Sequence, residues 1–145
     1  MPGFLLTWNP AIGDQGDNWS DDDLVKKLIS PFRRKGEIFL DWRTAAPRKM
    51  QIGDQVFLLK QGPRPKGIFG IGVVAKQAER EPDDPARFRV RVQIIKLVNP
   101  VKGEFLAGEM ALTDLIGKLL VGARFSGRSI PEDRLKRLNK YLAKG

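Results

Sequence analysis

Three tryptophans, Trp8, Trp19 and Trp42, are the residues of this chain best suited to chemistry at a surface, because each stands at the edge of an apolar run or outside one. Trp8 closes the run GFLLTW before Asn9-Pro10, and Trp42 closes EIFLDW before Arg43-Thr44. Trp19 lies between two acidic stretches. An indole at a strand end has two uses. Its plane can stack on a nucleobase, a contact of about 1–3 kcal/mol, or its bulk can plug the open end of a small barrel. Truncation would separate them, since a pocket aromatic can be removed with the fold mostly intact. Asn9 carries an amide that both donates and accepts, as reading a base edge requires; it could equally satisfy local backbone before Pro10. Gln61, in the turn QGPRPK, is open to the same two readings. Asp54 suits a turn cap, with catalysis the lesser alternative.

Other chemistries are removed by composition. The chain has 145 residues with no cysteine and no histidine. Disulfides, thiol nucleophiles, imidazole bases and zinc-thiolate sites are therefore out of reach, while carboxylate-metal, lysine or threonine chemistry stays open. No cofactor is expected. The 26 basic and 17 acidic residues leave a formal charge of +9 and a pI near 10.1, which favours a polyanionic partner. The cations gather as Lys26, Lys27, Arg33, Arg34 and Lys35, as Arg48 and Lys49 with Arg64 and Lys66, and as Arg124 and Arg128 with the C-terminal helix. On one face they would form a groove for a phosphate backbone; scattered, they would be a solvated surface. The start of the chain has no signal-peptide run, and no stretch approaches the ~20 apolar residues of a membrane helix. A cytoplasmic location and no membrane partner are expected.

The elements that must position these groups read as one domain over residues 1–145. GFLLTW is a first strand, ended by Asn9-Pro10 and a Gly/Asp-rich loop. Ser20 caps a helix whose first turn holds Asp21, Asp22 and Asp23, and Ser30-Pro31 should stop it. EIFLDW alternates, with Ile38, Leu40 and Trp42 on one side. DQVFLLK and GIFGIGVV form a hairpin around the basic turn QGPRPK. Gly70 and Gly72 indicate barrel curvature or a close approach. In RFRVRVQIIKL, Phe88, Val90, Val92 and Ile94 oppose Arg87, Arg89, Arg91 and Gln93, the pattern of an antiparallel sheet with one solvated face. ALTDLIGKLL reads as a short helix and Arg124-Phe125-Ser126 as a brief strand. Pro131 opens a final helix with the stripe Leu135, Leu138 and Leu142.

FLLTWNP, the segment DWRTAAPRKMQIGDQVFLLKQGPRPKGIFGIGVV, and RFSGRSIPED, in this order, resemble the EVE-like branch of the PUA-like superfamily over roughly Phe4 to Tyr141. The resemblance implies an α+β fold: a PUA-like β-barrel of about five to six mostly antiparallel strands with flanking helices. It implies a non-enzymatic module that flips a modified base of DNA, 5-methylcytosine or 5-hydroxymethylcytosine, into an aromatic pocket. Trp8 and Trp42 match the family's aromatic positions, and Trp19, Asn9 and Gln61 join the expected pocket. Thr44 could replace the family's small polar residue after Trp42, while Arg43 departs from the pattern and either contacts phosphate or narrows the pocket. Ser126-Gly127 matches a family turn, so Ser126 could bond base or phosphate and Arg128 the backbone. Such modules resemble specificity domains of modification-dependent restriction systems, in which a fused or separate nuclease cuts double-stranded DNA.

Two alternatives stay open. An ASCH-like enzyme acting on RNA or a modified nucleoside would need a Lys, Thr and Glu constellation, which Lys49, Thr44 and Glu37 could imitate. A PUA-type RNA-binding domain would need no modified base at all.

Overall fold

The structure, a computed structural model, describes residues 2–10, 19–44, 50–82, 84–122 and 126–144. The expected loop after Pro10, the phosphate contacts Arg48 and Lys49, the cation Arg124 and the strand expected at Arg124-Phe125 lie outside those residues or mostly so.

One curled, mixed sheet organises the described chain, in the order β2-β5-β4-β3-β1-β7 with β6 paired to β4. Its strands are β1 (Gly3–Trp8), β2 (Ile38–Thr44), β3 (Gln55–Lys60), β4 (Gly67–Glu81), β5 (Asp84–Leu97), β6 (Ala107–Gly108) and β7 (Arg128–Ile130). Helices α1 (Asp21–Leu24) and α2 (Ser30–Lys35) precede β2. Helices α3 (Glu109–Ile116), α4 (Lys118–Val121) and α5 (Glu132–Lys144) follow the long β4–β5 hairpin. The half-barrel with flanking helices is the expected fold class, with one addition. β1 runs parallel to β3, with Gly3 opposite Gln55 and Trp8 opposite Lys60.

The burial of each strand explains its sequence pattern. β1, apart from Thr7, and the central residues of β3 are apolar because both their faces are covered. Phe4, Leu6, Trp8, Val56 and Leu58 enter the barrel core with Trp42, Val90, Val92 and Ile94. Leu5, Phe57 and Leu59 point the other way, into a second core beneath Leu112, Ile116, Leu135 and Leu138. β5 alternates because one face is solvated: Val90 and Val92 are buried while Arg91 is exposed. Burying that many side chains at roughly 1.5–3 kcal/mol each supplies the main driving force.

The first helix does not stop at Ser30-Pro31 as expected. Ser20 caps it, its hydroxyl accepting the Asp23 N–H at 3.2 Å. Val25–Ile29 then widens into a π-helical turn, and the Ser30 N–H reaches the Val25 carbonyl. A wide turn relieves the clash that a proline ring makes with the preceding turn of a regular α-helix. Helix therefore continues through Pro31 as α2 and ends at Gly36, at φ 77°. ALTDLIGKLL also differs, because Gly117 at φ 97° divides it into α3 and α4. Among the described residues, the strand near the C-terminus is Arg128–Ile130, after the Gly127 turn.

Gly72 marks a close approach: a Cβ there would meet the backbone carbonyl of Gln93 on β5, at a point where the β4–β5 register shifts. A ladder carbonyl cannot move aside as a flexible side chain would. Gly72→Ala should lower stability by roughly 1–3 kcal/mol, measurable as a shifted urea midpoint at unchanged m-value.

Candidate functional site

The C-terminal end of β1 gathers most of the sequence-derived site. The Trp42 Nε1–H donates to the Thr7 carbonyl at 3.2 Å, and the Thr7 N–H donates to Ser126 Oγ at 3.1 Å. The Trp8 Nε1–H donates to the Trp19 carbonyl at 2.7 Å, and the Trp8 carbonyl accepts the Gln61 N–H at 2.8 Å. Trp19 packs edge-on against Trp42 with centroids 5.7 Å apart. The Asn9 carboxamide occupies the space that a side chain at position 62 would need, which together with φ 80° makes Gly62 necessary there. Trp8, Asn9, Trp19, Trp42, Gln61 and Ser126, spread across the whole sequence, thus meet around Thr7-Trp8.

Accessibility divides this cluster. Trp8 and Trp42 have no exposed surface, and Gln61 is also buried. Asn9, Trp19 and Ser126 are partly exposed. Each buried indole N–H finds a carbonyl, as burial of a polar group demands. Thr44 lies two residues beyond Trp42 on the same face of β2, where its hydroxyl sits 3.3 Å from Met50 Sδ. Arg43 follows the pleat to the opposite face of β2, its Cα opposite Arg89 on β5, and so stands apart from the cluster. Glu37, at the far end of β2 from Thr44, is exposed and accepts from Gln93 Nε2 at 2.6 Å; the two do not form one constellation.

A residue that sequence reasoning missed, Lys60, shapes the turn beside the cluster. Its ammonium is buried and donates to the carbonyls of Pro63 (2.6 Å) and Pro65 (2.8 Å), tying the Gln61–Lys66 turn to the end of β3. Burial lowers its pKa from 10.5, Asp21 opposes that shift, and Lys66 adds to it. The signal was a lysine ending an otherwise apolar strand. Asp54 is the turn cap expected of it, Oδ2 accepting the Gln51 N–H at 2.9 Å.

Several of the described cations line two recesses. Lys27 and Lys35 line a recess of about 500 Å³ between α2 and β2. Arg64 and Lys66 line another of about 650 Å³ with Lys118 on α4, and Arg64 makes a two-pronged pair with Glu109 at 3.1 and 3.2 Å. Lys26, Arg33, Arg34 and Arg128 are exposed. Lys27 also places its ammonium 5.7 Å from the Trp19 ring centre, which joins the first recess to the tryptophan cluster. On α5, Arg134 and Arg137 instead donate to the carbonyls of Ile116 and Asp114, where a cation favours a helix C-terminus. Among the described residues no group of three or more carboxylates could hold a metal ion, and no helix is long and apolar enough to cross a membrane.

Comparison with known proteins agrees with this architecture. A hypothetical protein from Leishmania major superposes with a TM-score of 0.65 at 15% identity, covering 99% of this chain and 96% of its own. Human THYN1 protein, solved in complex with 5-methylcytosine-containing DNA, gives 0.62 at 15% identity, covering 100% and 99%. A protein from Pseudomonas syringae gives 0.57 at 18% identity, covering 97% and 99%. At such identities these likenesses concern the fold. No curated protein matches the sequence. The EVE domain profile matches residues 33–141, three quarters of the chain, and the chain therefore belongs to the EVE-domain family.

Proposed function

We propose that this chain is a non-catalytic DNA-binding module that recognises a 5-substituted cytosine, 5-methylcytosine or 5-hydroxymethylcytosine, by extruding it from the duplex toward the tryptophan cluster. The observation that carries this reading is the convergence of three indoles with an amide and a hydroxyl at the end of β1. Membership of the EVE-domain family and the fold shared with a protein solved on 5-methylcytosine DNA support it. Extrusion costs a few kcal/mol, so stacking must be joined by hydrogen bonds to the base edge. Trp19, Asn9 and Ser126 are the accessible members that meet the base. Trp8 and Trp42 form the wall behind them, and Gln61 and Thr44 hold that wall in shape. Arg43, on the outer face, contacts phosphate, as do the exposed cations of α2 and of the Gln61–Lys66 turn. Strand cutting, where it occurs, belongs to a fused or separate nuclease.

Trp19→Ala tests this directly, because Trp19 is only partly buried and its loss opens no deep cavity. The variant should keep its melting temperature within a few degrees and lose most preference for methylated over unmodified DNA, a loss of roughly 1–3 kcal/mol. Titrations with matched DNA and RNA oligonucleotides read the outcome. Unchanged preference in a folded variant would remove Trp19 from the site, and tighter binding to unmodified RNA would favour a PUA-type RNA-binding role instead.

A further inference from the structure

The recess between α2 and β2 carries more than positive charge. Phe39 lies on the outward face of β2 and is 49% exposed, while its neighbours Ile38 and Leu40 pack toward the barrel core. The β2–β5 register puts Phe39 opposite Gln93 and Asp41 opposite Arg91. Arg91 is thus diagonal to Phe39, and its guanidinium lies 5.7 Å from the ring centre. Lys27, Lys35, Glu37, Phe39 and Arg91 share the walls of this recess. Its one wall carboxylate, Glu37, accepts from Gln93 Nε2, and the adjacent Asp41 lies 3.5 Å from Arg91. Lys27 belongs both to this recess and to the edge of the tryptophan cluster.

A half-exposed aromatic ring among cations, continuous with an aromatic cluster, has the two properties that a nucleic-acid strand requires: cations for its phosphates and a flat face for a base. We propose that the α2–β2 recess is the track for the DNA strand that flanks the extruded nucleotide. Lys27 and Lys35 each neutralise a phosphate, and Phe39 with Arg91 forms a platform on which a neighbouring unstacked base rests. The proposal rests on the DNA-binding part of the function proposed above, and is independent of whether the extruded base is modified.

The test is Phe39→Ala, with Phe39→Tyr and Lys35→Gln beside it. Fluorescence anisotropy would use matched methylated and unmodified duplexes with a single unpaired base beside the target cytosine. Phe39→Ala should weaken both duplexes by the same factor, at least about fivefold for one lost stack. Phe39→Tyr should restore affinity, and Lys35→Gln should reduce the slope of log affinity against log salt by about 1. Unchanged affinity of folded Phe39→Ala would overturn the proposal, as would a change confined to the methylated duplex or weakened binding not restored by tyrosine. A wild-type protein without preference for methylated DNA would defeat the base-reading proposal. Equal weakening by Phe39→Ala would still support the strand track.

Discussion

Trp42→Ala is expected to lower the melting temperature by about 6–20 °C. The ring has no exposed surface, its N–H is bonded to the Thr7 carbonyl, and it packs against Trp19. Truncating a buried tryptophan leaves a cavity that typically costs about 3–5 kcal/mol, and each kcal/mol corresponds to roughly 2–4 °C in a domain near this size. Loss of the indole N–H adds to that cost, because the Thr7 carbonyl gives up its side-chain donor. Trp42→Phe should retain most of the packing and recover much of the stability. Calorimetry of the two variants checks the assignment. A Trp42→Ala protein that melts within about 3 °C of wild type would mean that Trp42 stands in an open pocket, the behaviour its position at a strand end first suggested.

The second large effect concerns affinity. Arg33 and Arg34 are exposed in the last turn of α2, on the helix whose Pro31 and Lys35 border the α2–β2 recess. Reversing both to glutamate removes two phosphate partners and introduces repulsion. Near 0.1 M salt, binding should weaken on the order of 100-fold, and the slope of log affinity against log salt should fall by about 2. The loss should be the same for methylated and unmodified DNA, because phosphate contacts position a protein without reading sequence. Glutamates at a helix C-terminus cost only about 0.3–1 kcal/mol each, so the variant remains folded. An altered preference between the two duplexes at unchanged overall affinity would contradict a backbone role.

Sequence was most informative where solvent exposure alternates or is absent. The alternation in RFRVRVQI marks the one-sided strand β5 because residues of opposite polarity must face opposite sides. The largely apolar runs of β1 and β3 record burial on two faces, although a short apolar run cannot say which strand lies beside it. The parallel pairing of β1 with β3 was therefore not legible. Pro31 misled because a proline usually ends a helix, and the π-helical turn that accommodates it has no sequence signature. The cluster members were legible one by one as strand-end aromatics and turn polars. Their division into buried wall and accessible rim depends on long-range packing, such as that of Trp19 on Trp42. Phe39 escaped notice because attention to the inward-facing residues of EIFLDW leaves the outward ones to be taken as solvated.

The central claim is that the protein distinguishes a modified cytosine in DNA. Competition anisotropy with wild-type protein and three duplexes, identical except for cytosine, 5-methylcytosine or 5-hydroxymethylcytosine at one position, measures this directly. At a fixed salt concentration, at least one modified duplex should bind about tenfold or more tighter than its unmodified counterpart, equivalent to roughly 1.4 kcal/mol. Equal affinities for all three duplexes would contradict it.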